Sequence, residues 1–127
     1  MRRVIEEEPG VIAAYLFGSL VKNMAGPLSD IDVALLIPTT SETDATVARV
    51  TDALCRSLRT DRVDVVSLGH AAIPLQYRVV REGVLIASRD AAALQRFVAQ
   101  AVLHYLDFKP LRDRAFAVQR QAILANS

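Results

Sequence analysis

Apolar residues along this chain follow two rhythms. The runs at 11–17 and 31–37 are almost wholly apolar and are bounded by Pro9-Gly10, Gly18-Ser19 and Pro38, the punctuation of short buried strands. From 41 to 58 the period lengthens. Val47, Val50, Leu54 and Leu58 recur at helical spacing, Arg49, Asp52 and Arg56 fall on other faces, and Ser41 followed by acidic residues supplies a helix start. Residues 63–68, VDVVSL, predict a third strand, 71–82 a helix ended by Gly83, and 84–87 a short edge strand. Between 90 and 108, Leu94, Phe97, Ala101, Tyr105 and Phe108 make one helical stripe, and Pro110 predicts a kink or restart before a last polar helix ending near Asn126. Val102, Leu103 and Leu106 lie beside that stripe and either widen its contact with the core, the favoured expectation, or form an apolar patch for a partner. A short N-terminal helix is expected over 2–8.

The order strand, strand, helix, strand, helix, strand, helix implies a single α/β (α+β) domain over 1–127, with a mixed sheet of about four strands flanked by helices. The only linker-like stretch is 23–29, and no repeat interrupts the order. At 127 residues the chain has room for a real core and none for a second substrate-binding domain of ordinary size.

Charge narrows the function classes. A formal net charge of +1 gives no field strong enough to gather polynucleotide, so direct nucleic-acid binding is not expected. The N-terminus MRRVIEEEPG turns acidic where a signal peptide needs its apolar stretch, and no later run approaches membrane-spanning length. A cytoplasmic location is the expectation. Cys55, the single cysteine, excludes an internal disulfide and falls on the apolar side of its helix. His70 and His104 lack the spacing and the cysteine support of a zinc site, and no GxxxxGK[ST] phosphate loop is present.

Against that plain background the stretch FGSLVKNMAGPLSDIDVALLI, 17–37, is chemically unusual. Side chains alternate along a strand, so Asp30 and Asp32 point the same way, with Cα atoms roughly 6.6 Å apart, close enough to converge on one divalent ion. A cation would offset the cost of holding like charges there. Magnesium suits oxygen ligands that leave positions open for water and phosphate. Gly18 admits backbone close to a ligand, Ser19 offers a hydroxyl and an amide at a strand's end, and Lys22 stands one helical turn further on, a set that suits a phosphate group. Asp64, inside the apolar third strand, joins the other two acids if that strand neighbours the second; otherwise it is expected to pair with Arg59 or Arg62.

Gly18-Ser19, ten residues, then Asp30-Ile31-Asp32, with Asp64 in a later strand, resembles the signature of the nucleotidyltransferase superfamily that includes DNA polymerase beta and the kanamycin nucleotidyltransferases. The nearest likeness is to its minimal nucleotidyltransferase (MNT) branch, whose members act as antitoxins to HEPN-domain toxins; the tail YLDFKPLRDR is also similar to that branch. One departure is visible. Where relatives carry Arg-Gly soon after Gly-Ser, this chain has Val21-Lys22-Asn23 and a delayed Gly26-Pro27. The resemblance implies a nucleotidyltransferase fold and magnesium-dependent transfer of AMP from ATP to a tyrosine hydroxyl of a partner HEPN ribonuclease. It assigns Asp30, Asp32 and Asp64 to the metal and the catalysis, and Gly18 and Ser19 to the triphosphate. Two other outcomes remain open on sequence: an antitoxin acting by occlusion without catalysis, and a nucleotidyltransferase acting on a small molecule.

Overall fold

The two apolar runs become the central strands of one sheet. In the computed structural model, which describes residues 1–18, 30–38 and 43–125, they form β1 (Ala13–Phe17) and β2 (Ile31–Leu36), paired antiparallel. β3 (Val63–Ser67) runs parallel to β2, and β4 (Val84–Ser88) runs antiparallel to β1, so the order is β3-β2-β1-β4. The expected short edge strand is at an edge. Parallel neighbours need a crossover, and α2 (Thr43–Leu58) supplies it between β2 and β3. The remaining helices are α1 (Arg2–Glu6), α3 (Ile73–Glu82) and α4 (Ala91–Ala125), with a tight helical turn, Leu68–His70, between β3 and α3.

Strand alternation sorts the apolar residues into two cores. Val33, Leu35 and Ile37 meet Ile5 of α1 and Val50 and Leu54 of α2 on one face, together with Ala14 and Val65. Ala34 and Leu36 meet Val79 of α3 and Leu94 of α4 on the other, with Ala13, Tyr15 and Leu68. Burying each large aliphatic side chain contributes about 2 kcal/mol, so each face carries its own share of the fold's stability.

α3 is fastened at both ends. Near its start the buried Gln76 side chain donates from Nε2 to the Leu68 carbonyl at 3.0 Å, which ties the helix to the turn leaving β3. At its end Gly83 donates its N–H to the Val79 carbonyl at 2.8 Å. A Cβ on Gly83 would stand 2.5 Å from that carbonyl oxygen and 3.3 Å from both the Leu16 carbonyl and the Tyr15 ring. Only glycine lets α3 end this close to β1.

Two expectations about the last third of the chain are corrected. The helix neither stops nor restarts at Pro110: α4 is continuous from Ala91 to Ala125. A proline removes one backbone hydrogen bond, and the bonds on either side carry the helix across that gap. Leu103 and Leu106 do not enter the core, being 60% and 55% exposed on the side of α4 away from Leu94 and Ala101. Cys55 is half-buried, and the linker-like stretch 23–29 lies outside the described residues. Among the described residues no helix is long and apolar enough to cross a membrane.

Candidate active site

The site is assembled where β1 ends and β2 and β3 begin. Because β1 runs antiparallel to β2, its last residue, Phe17, stands opposite Asp32. Because β3 runs parallel to β2, Asp64 stands opposite Asp32 on the other side. Three chain segments distant in sequence are thereby brought to one end of the sheet. Asp30 is exposed and sits one residue before β2, whose first amide, that of Ile31, is hydrogen-bonded to the Arg62 carbonyl at 2.8 Å. That bond locks the start of β2 to the start of β3 and so fixes how the acids are spaced.

Gly18 follows Phe17 directly and has φ +84, in the left-handed region. A Cβ built there would lie 2.3 Å from Asp32 Oδ2 and 3.2 Å from its Cγ. Glycine is therefore required twice over, once by conformation and once by contact. The backbone of the turn passes so near the carboxylate that anything held by Asp32 is also within reach of the turn. Ser19 and Lys22, the other residues expected to meet phosphate, lie outside the described residues.

Electrostatics mark Asp32 as the strained member. Burial pushes its pKa up, and the neighbouring charges of Asp64 and Asp30 push it further in the same direction. Arg78 of α3 acts the other way. Asp64 and Asp30 are exposed, so the cost of the cluster falls on the central acid. A positive partner placed among the three acids would relieve that cost.

Among the described residues no group of three His, Cys, Asp or Glu side chains is drawn together tightly enough to form a metal cage by itself. Magnesium does not require such a cage: it binds through one or two carboxylates and fills its remaining positions with water and substrate phosphate. The all-oxygen set of Asp30, Asp32 and Asp64 matches that donor preference.

Arg78 is the residue that pattern reading overlooked. Nothing in its own neighbourhood in sequence marks it, since a solvated arginine on an amphipathic helix is ordinary. Its charge acts on Asp32 because Gln76 and Gly83 pin α3 over the acid side of the sheet.

Comparisons with known proteins bear on the family and the fold. Residues 1–92 match the family described as polymerase beta, nucleotidyltransferase. No curated protein matches the chain in sequence. Among solved structures, a toxin-antitoxin with AMP-PNP superposes with TM-score 0.74 at 24% identity, covering 91% of each chain. A complex of tri-AMPylated Shewanella oneidensis HEPN toxin with MNT antitoxin superposes with TM-score 0.68 at 23% identity, covering 91% of this chain and 88% of that one. At such identities these likenesses establish the fold.

Proposed function

The chain belongs to the polymerase beta nucleotidyltransferase family, and from that premise we propose that it is an antitoxin-type protein adenylyltransferase. It transfers AMP from ATP to a tyrosine hydroxyl of a partner HEPN-domain ribonuclease and so silences it. The observation that carries this reading is the meeting of Gly18, Asp32 and Asp64 at one end of the sheet, with Gly18 close against the Asp32 carboxylate and Asp64 opposite Asp32 on the neighbouring strand. Support comes also from structural neighbours that are toxin-antitoxin complexes, one with a nucleotide analogue and one with an AMPylated toxin.

Each residue has a role that its position suits. Gly18, without a Cβ, lets the triphosphate lie against the turn beside Asp32. In this reading Ser19 and Lys22 extend the same grip on phosphate. Asp30, Asp32 and Asp64 would hold magnesium, which supplies charge neutralisation and polarisation of the reacting phosphate when bound. The tyrosine oxygen attacks the α-phosphorus, a new oxygen–phosphorus bond forms, and the bond between the α-phosphorus and the bridging oxygen breaks as pyrophosphate leaves. The phenolic proton passes to Asp64, an exposed acid at the edge of the sheet, or to water. A free tyrosine titrates near 10, so this help matters at neutral pH. Holding both reactants at the sheet end supplies the remaining gain by orientation.

Intact-mass measurement tests the reading. The chain is incubated with ATP, magnesium and a HEPN ribonuclease encoded beside it, and the ribonuclease is expected to gain whole AMP units. Asp30→Asn combined with Asp32→Asn should abolish the gain and leave the ribonuclease active. Full neutralisation by that double variant, with no mass gain from the wild type, would replace catalysis by occlusion.

A further inference from the structure

Among the described residues of α4, Leu103 and Leu106 are the large apolar side chains left bare, at 60% and 55% exposure. Leu94 and Leu103 are nine residues apart, two and a half turns of helix, and so stand on opposite sides of it. The Leu94 side belongs to the domain's own core. Leu94 and Ala101 are buried there, Phe97 and Val98 are packed with them, and Tyr105 stacks on Tyr77 of α3 at 3.9 Å. Single leucines scattered over a surface are ordinary, but two that adjoin at i and i+3 on one helix make a patch.

The residues around the patch follow the pattern of a helix-pairing seam. Arg96, Ala99, Leu103, Leu106 and Pro110 succeed one another at intervals of three and four residues, and all five are exposed. That spacing keeps one stripe of a helix turned toward a partner helix. Reversed end for end, the stripe matches itself: Leu103 of one copy falls opposite Leu106 of the other, and Ala99 opposite Pro110. The bulky pair sits at the centre and short side chains flank it. The next interval of three beyond Pro110 reaches position 113, an aspartate, which the same reversal sets opposite Arg96. Each end of the seam thus closes on opposite charges, whereas a parallel pairing would set Arg96 against Arg96. The continuity of α4 through Pro110 keeps positions 96 and 113 on one rod, roughly 25 Å apart.

We propose that α4 is a self-association surface, through which two copies of this chain pair as antiparallel helices with Leu103 packed on Leu106 of the second copy and Arg96 in register with Asp113. The occupant is a second copy because the stripe is complementary to its own reverse, the property that a two-fold interface requires. Burial of two leucines from each copy supplies the attraction, and the paired charges fix direction and register. Pairing on this side of α4 disturbs none of the contacts that Leu94 and Ala101 make on the other.

Sedimentation velocity of the whole chain over a wide concentration range tests this. Wild type is expected to pass from monomer to dimer, and Leu103→Ser combined with Leu106→Ser to weaken association about a hundredfold or more. The melting temperature of that variant, extrapolated to low concentration, should match wild type because both leucines are exposed. Charge reversal reads the register without touching the leucines, and so decides even where the serine variant fails to fold. Arg96→Asp alone and Asp113→Arg alone should each associate about tenfold more weakly, since like charges then meet at both ends, while an equimolar mixture of the two should pair as wild type does. A wild type that stays monomeric at every concentration would overturn the proposal, as would a dimer indifferent to the leucine changes. A mixture that pairs no better than its components would overturn the antiparallel register. If the chain alone is monomeric and a HEPN ribonuclease loses its grip on the serine variant, the face belongs to that partner and not to a second copy.

Discussion

The two faces of the sheet use the same strands for opposite purposes. On the α1 and α2 face, Val33 and Leu35 of β2 have 0% exposure and are sealed by Ile5, Val50 and Leu54. On the α3 and α4 face the same strand opens with Asp32, and only at Ala34 does it become core. One face is finished to its end. The other stops one rung short and leaves like charges side by side. The contrast shows how a small domain separates its tasks: packing on one face holds the strands in register, and that register holds mutually repelling acids together on the other.

Four experiments press on this contrast. The largest effect should come from Asp32→Asn, expected to cut AMP transfer roughly a thousandfold by intact mass while leaving the metal-free melting temperature unchanged or higher. A marked fall in that melting temperature would mean that the acid side is structural after all. Leu35→Ala, on the finished face, should do the reverse. It should cost about 3 kcal/mol in urea unfolding by opening a cavity, with little change in nucleotide binding per folded molecule. Gly18→Ala falls between the two faces, for the added Cβ meets both an unfavourable φ and the Asp32 carboxylate. About 2 kcal/mol of stability and most of the transfer activity should be lost together.

The smallest effect concerns pH. Asp32's folded pKa lies above its unfolded value of 3.8, so the native state binds that proton more tightly than the unfolded chain. Its contribution to stability is therefore greatest while the proton is bound and is lost as pH rises through the folded pKa. Without metal, urea midpoints should thus show a component that falls between 3.8 and the raised value, and Asp32→Asn should flatten it. Added magnesium should oppose the trend if, as proposed, the deprotonated acids hold it.

Much of this was legible in the sequence because short-range pattern determined it. The apolar runs ending at Gly18 and Pro38 give β1 and β2, and the alternation through Asp32, Val33, Ala34 and Leu35 assigns each residue to a face. The acid pair and the glycine turn were visible as spacing. That Asp64 stands beside Asp32 depended on strand order, which no local pattern fixes; it follows from α2 returning the chain parallel to β2 on the side away from β1. The influence of Arg78 on Asp32 was invisible for the same reason, since it depends on where Gln76 and Gly83 pin the helix. Leu103, Leu106 and Pro110 misled, because apolarity and proline are averages over many proteins, while exposure and continuity belong to one long helix in its own surroundings.

The position of β3 at the end of the strand order has a consequence for access. Among the described residues, Asp32 has β1 on one flank and β3 on the other, whereas Asp64 has a neighbouring strand only on the β2 side. The row of acids thus has an inner end and an outer end. A reactant as small as a nucleotide can be threaded to the inner end, between turn and strand. One as bulky as a folded protein can bring a side chain to the outer end from the side, without parting any strands of the sheet.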